Sequence, residues 1–152
     1  MNKKITVSAV IIVIIVASIA TWLINNQLSE LQRQKKIENA QKVCITRLSS
    51  PTGWMCMGGM LGFIELNVTI SNTGVSDVEG LTLEMKMLGR DKDPYYAGFP
   101  TNSTMKLDIL HVGETTEIQH YFRYGWEEGI GCSYSATLKL DEIVLDVRYL
   151  SP

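Results

Sequence analysis

Residues 5–24 carry no charged side chain and are dominated by Val, Ile and Ala, with Thr6, Ser8, Ser18 and Thr21 as weak polar interruptions. At about 1.5 Å of rise per residue, a helix over this run reaches roughly 30 Å, the thickness of a bilayer's hydrocarbon core. The run is therefore expected to cross a membrane once. Trp22 stands near its far end, where an indole sits comfortably in the headgroup layer with its N–H toward water. The run is longer than a typical signal-peptide core and has no persuasive small-x-small cleavage site before Trp22, so the segment reads as an uncleaved signal anchor. Lys3 and Lys4 abut one end, whereas Arg33, Lys35 and Lys36 begin only about nine residues beyond the other. The closer pair places the amino terminus inside and the remainder on the extracellular side of the cell membrane.

Three regions follow: 1–24 as cap and transmembrane helix, 25–42 as a stalk, and 43–152 as one folded domain. The stalk is rich in Gln, Glu, Lys and Ala and contains no Gly or Pro, so it should continue the helix by propensity. Leu28, Leu31 and Ile37 are its only large apolar residues. By themselves they do not sustain a heptad repeat, which favours a polar spacer over a coiled coil.

At Val43 the hydrophobic period changes from that of a helix to two. A short strand over 43–48 ends at the turn cluster Ser49-Ser50-Pro51-Thr52-Gly53, and 54–62 reads as a loop. Ile64, Leu66, Val68 and Ile70 then alternate with Glu65, Asn67, Thr69 and Ser71. Leu81, Leu83, Met85 and Met87 give a third strand; Met105, Leu107 and Ile109 a fourth; Ile118, His120 and Phe122 a fifth. Tyr134, Ala136, Leu138 and Leu140 mark the sixth, and Ile143, Leu145, Val147 and Tyr149 the seventh. Short, evenly spaced strands without intervening helices predict an all-β, immunoglobulin-like antiparallel sandwich of about seven strands, carried on the long amino-terminal helix.

From Cys44 onward the domain holds fourteen Asp and Glu and eight Lys and Arg; eight bases less fourteen acids leaves −6. Nucleic-acid binding needs a basic face to neutralise phosphates, and this balance argues against it. Cys44, Cys56 and Cys132 allow one disulfide between two of the three, with buried free thiols as the alternative.

The strand ending in Asn72-Thr73-Gly74, the strand after it, and the turn Leu110-His111-Val112-Gly113-Glu114 together resemble the adhesion-type, CARDB-like immunoglobulin-like modules of prokaryotic surfaces. The segment Val7-Ser8-Ala9-Val10-Ile11-Ile12-Val13 is similar to the hydrophobic segment of archaeal pilin-like and archaellum-associated proteins. Lys3-Lys4-Ile5-Thr6 lacks the basic-then-small pattern of a processed prepilin. The resemblance thus implies an archaeal-type anchored surface protein ahead of a filament subunit.

No catalytic motif emerges. Neither a Gly-x-Ser-x-Gly elbow nor a metal-binding His pair is present, and Asp91 and Asp93 lack the further donors of a calcium loop. The Met55-Cys56-Met57 triplet with Met60 offers soft donors for Cu(I), but apolar contact is the simpler reading, and no cofactor is expected. Cys132 has no His or Met after it, which excludes a cupredoxin-type ligand cluster. His120 reads as a hydrogen-bonded structural residue. Candidate partner contacts are Trp54, Met55, Met57, Met60, Tyr95, Tyr96, Phe99 and Trp126, because aromatic and Met side chains form binding hot spots. Asn67-Val68-Thr69 and Asn102-Ser103-Thr104 are candidate glycosylation sites in an extracellular domain. The expectation is a non-enzymatic, single-pass surface protein that binds, adheres or assembles through a protein or filament partner. A pilin-like subunit and an accessory subunit of a membrane enzyme complex are the alternatives.

Overall fold

The computed structural model describes residues 3–50, 55–57, 61–88, 101–125 and 133–151. The chain divides into two compact units, 1–37 and 38–152.

In the first unit, α1 is one uninterrupted helix, Lys3–Ala40. Its length follows from the absence of Gly and Pro, so the apolar run and the polar stretch join without a break. Ser18 Oγ and Thr21 Oγ1 donate to the carbonyls of Ile14 and Ala17, at 2.9 Å each, so these polar interruptions are satisfied inside the helix. The part from Ile12 onward is long and apolar enough to cross a membrane, and the side chains of residues 12–35 are exposed.

Among its described residues the second unit holds eight strands: β1 Val43–Ser49, β2 Met55–Met57, β3 Leu61–Asn72, β4 Leu81–Leu88, β5 Asn102–Lys106, β6 Thr115–Gly125, β7 Ser133–Leu140 and β8 Ile143–Leu150. They form two antiparallel sheets. In one, β3 pairs with β6 along one edge and with β1 and then β2 along the other; the second runs β5-β4-β7-β8. Strict alternation places Leu66, Val68 and Ile70 of β3 and Leu81, Leu83, Met85 and Met87 of β4 in the core, all at most 1% exposed. Phe122, Ala136, Leu138 and Leu140 join them.

Four details depart from the sequence reading. Residues 55–57 form β2, which pairs with 61–63 of β3, so part of the expected loop is strand and β3 starts earlier. β1 and β2 both run antiparallel to β3 and act as one interrupted edge strand. β5 ends at Lys106; Leu107 N still donates to Leu81 O of β4 at 2.9 Å, and Ile109 is half exposed.

The last departure is in β8. There the register slips by one residue between the pairs Leu138↔Asp146 and Lys139↔Val144. A one-residue bulge exchanges the faces of everything beyond it. Val147 and Tyr149 therefore lie outside with Val144, while Asp146 and Arg148 take the core-side phase. Asp146 Oδ2 accepts from Ile45 N of β1 at 2.9 Å, beside a second bulge at Ile45/Arg47. One carboxylate thus ties together an edge of each sheet. A carboxylate turned inward on an edge strand also discourages edge-to-edge pairing with other chains.

Candidate interaction surface

Two motifs separated by 38 residues meet at one end of the sandwich. Asn72 closes β3 and is fully buried. Its backbone N donates to Glu114 O, and its carbonyl accepts from Gly113 N, both at 3.0 Å. Its side-chain Nδ2 donates to Ser76 O at 2.9 Å and Leu110 O at 3.0 Å, while Oδ1 accepts from Gly74 N at 2.9 Å. Both amide protons are therefore used, as a buried amide requires. Thr73 adds the incoming chain: its N and Oγ1 both donate to Lys42 O, at 3.0 and 2.8 Å.

The facing turn is held by carboxylates. His111 N donates to Glu114 Oε2 at 2.7 Å, and Val112 N donates to Asp77 Oδ1 at 3.0 Å. Asp77 Oδ2 lies 2.9 Å from His111 Nδ1. The shared hydrogen bond holds the His111 pKa above its ordinary value and, with the Val112 amide, holds Asp77 below its own. Gly113 permits the turn, because its φ of +73° suits a residue without a β-carbon. Val75, Ile109 and Val112 project around this junction, with Val75 91% exposed.

Beside the junction, a groove of about 290 Å³ opens between β5 and β6, the edges of the two sheets among the described residues. Met105, Leu107, Thr116 and Ile118 line it, with Leu110 and Glu114 at one end. Its size suits an apolar side chain or a short extended segment better than a drug-sized ligand. Its acidic residues, Asp108 and Glu114, are accompanied by no histidine or cysteine. Among the described residues no cluster of His, Cys, Asp and Glu is arranged to hold a metal.

Trp54, Met60, Tyr95, Tyr96, Phe99, Trp126 and Cys132 lie outside the described residues. For Met55, Cys56 and Met57 only the backbone is described, in β2. Cys44 is a free, half-buried thiol. The two sequons differ. Asn67 is 9% exposed on the central strand β3, and its Oδ1 has no hydrogen-bond partner among the described residues. Asn102 opens edge strand β5 and is exposed. His120 has no hydrogen-bond partner among the described residues. It packs edge-on against Phe122 at 4.6 Å between ring centroids, and partial burial lowers its pKa.

Sequence reasoning picked out both halves of the Asn72 junction but not their contact. It passed over Asp77 and the groove; an acid five residues after a strand-ending Asn gave no periodic cue.

No family model and no curated protein matches the chain. Among solved structures, a putative β-galactosidase from Bacteroides fragilis is similar at a TM-score of 0.55 and 14% identity, covering 72% of this chain and 17% of that one. A Bacteroides uniformis β-glucuronidase is similar at a TM-score of 0.55 and 12% identity, covering 72% of this chain and 14% of that one. The chain thus spans less than a fifth of these proteins, and at such identity the likeness concerns the fold alone.

Proposed function

We propose that this is a single-pass, membrane-anchored cell-surface protein whose domain, an immunoglobulin-like sandwich, acts by binding or assembly and not by catalysis. The observation that carries the reading is α1. From Ile12 through Ile24 its large apolar side chains are about half exposed or more. In water such a surface is strongly unfavourable at roughly 25 cal/mol per Å², and a bilayer removes the cost. The immunoglobulin-like type is supported by the strand order, in which β1-β3-β6 and β5-β4-β7-β8 share the chain through repeated crossings between sheets.

A binding role is supported by the groove between β5 and β6, sheet edges among the described residues, and by the exposed Val75, Ile109 and Val112 beside it. Flotation of the full chain with liposomes tests the anchor, and retention of a surface partner by the intact protein but not by an Ile118→Lys variant tests the groove. A chain that stays in the soluble fraction after reconstitution refutes the anchor. The same exposed helix also favours a pilin-like subunit. A mature amino terminus still starting at Met1-Asn2-Lys3, with no filaments in negative stain, decides against that second reading.

A further inference from the structure

Leu28 and Leu31 are 54% and 57% exposed in a stretch, residues 25–34, otherwise made of Asn, Gln, Ser, Glu and Arg. On an uninterrupted helix their spacing continues backward, in steps of four and three residues, through Ile24, Thr21, Ala17 and Ile14. This is the alternation that keeps one seam facing a partner helix. With Leu28 at position a and Leu31 at d, the flanking e and g positions are Asn25, Gln27, Gln32 and Gln34. None is charged. Glu30 and Arg33 fall at c and f, on the far side.

The apolar run repeats this division. Small residues gather on the seam side, with Ala17 and Thr21 on it and Ser18 and Ala20 beside it, while Ile15, Ile19 and Trp22 face away. The hydroxyls of Ser18 and Thr21 are already bonded to carbonyls of their own helix, so this side is left smooth for close approach.

We propose that this seam binds a second copy of the same chain, in parallel, forming a two-stranded coil that runs out of the bilayer and ends near Leu31. The occupant follows from the charge pattern. An identical parallel helix meets the row of neutral amides with its own neutral row, so no like-charge pair arises, and Ala17 and Thr21 meet their own equivalents. A partner selected by charge would find nothing to pair with at e and g. Lys35 takes the next a position and brings two like charges together there, which sets the end of the seam. The parallel direction rests on the membrane-anchored reading, since copies inserted the same way run the same way.

The test is oxidative cross-linking of the full-length chain in liposomes, carrying Leu28→Cys, Leu31→Cys, Asn26→Cys or Arg33→Cys, with rates taken above that of the unsubstituted chain. Positions 28 and 31 are expected to couple about tenfold faster than 26 and 33, since a and d side chains meet across a seam while f side chains face away. Equal rates at the four positions, or none above background, overturn the pairing. As an independent check, the Leu28→Glu/Leu31→Glu variant should shift single-molecule photobleaching from two steps toward one; an unchanged step distribution counts against the seam. Flotation of the same liposomes separates the two ideas. A chain that floats with equal rates keeps the anchor and loses the pair, while one that does not float yet couples at 28 and 31 does the reverse.

Discussion

Replacing Asn72 with alanine removes three side-chain hydrogen bonds, to Ser76 O, Leu110 O and Gly74 N, and leaves both backbone bonds to the Gly113-Glu114 turn. Each bond contributes a net of about 1 kcal/mol, since folding exchanges it for water. The Leu110 carbonyl still accepts from Val78 N at 3.1 Å, which limits the penalty there. Ser76 and Gly74 are half-buried, so water reaches part of what is exposed. The sum is about 3 kcal/mol, or a fall in melting temperature of roughly 10–15 °C for a domain of this size. Asn72→Asp keeps the shape and the Gly74 bond but sets a carboxylate against two carbonyl oxygens. Its folded pKa is therefore raised, so the variant is least impaired below the unfolded value of about 3.9 and loses stability as pH rises through the folded value. Chemical denaturation of the full chain in detergent, followed by circular dichroism, measures both. A loss below about 0.5 kcal/mol for Asn72→Ala, which is the range of ordinary surface substitutions, would refute the junction as a structural hub.

Three further outcomes follow from the same geometry. Asp146→Ala should cost about 1.5–2 kcal/mol, because a charged acceptor is lost from Ile45 N, and amide exchange at Ile45 should accelerate while that of Ile70 holds. Gly113→Ala should cost about 1 kcal/mol by denaturation, purely from its backbone angle, since nothing lies within 4 Å of the added methyl group. The Asp77–His111 clasp should protect the Val112 amide most between the ordinary values of 3.8 and 6.5. Asp77, with a lowered pKa, loses its contribution as pH falls through its folded value, and His111, with a raised one, loses its own as pH rises through its folded value. Protection of the Val112 amide that fails to fall as pH drops below 3.8 or climbs above 6.5, after correction for intrinsic chemistry, would contradict the clasp.

The elements legible in the sequence were those where one face meets the core along a whole strand. β3, β4 and β7 alternate without interruption, and their buried residues Leu66, Val68, Leu83, Met85, Ala136 and Leu138 are those the period selects. What escaped were local breaks of that period. In β8 the bulge moves Val147 and Tyr149 outward and turns Asp146 toward β1, although the sequence alternates smoothly through it. In β5 the apolar Leu107 and Ile109 prolong a strand pattern beyond the point where the chain crosses to the other sheet. Asn67 illustrates a third limit: a polar side chain on the outer face of a central strand can still be shaded by its neighbours. The Asn72 junction was visible as two turn motifs, but a contact between residues 72 and 110–114 is long-range and leaves no trace in local periodicity.

The central claim is that α1 anchors the chain and presents the sandwich outside. Protease treatment of intact cells, followed by an alkaline wash of their membranes, tests it most directly. The account predicts that the domain is cut from outside while a fragment containing residues 5–24 stays with the membrane. A domain protected until the cells are lysed, or a chain released whole by the wash, would contradict it.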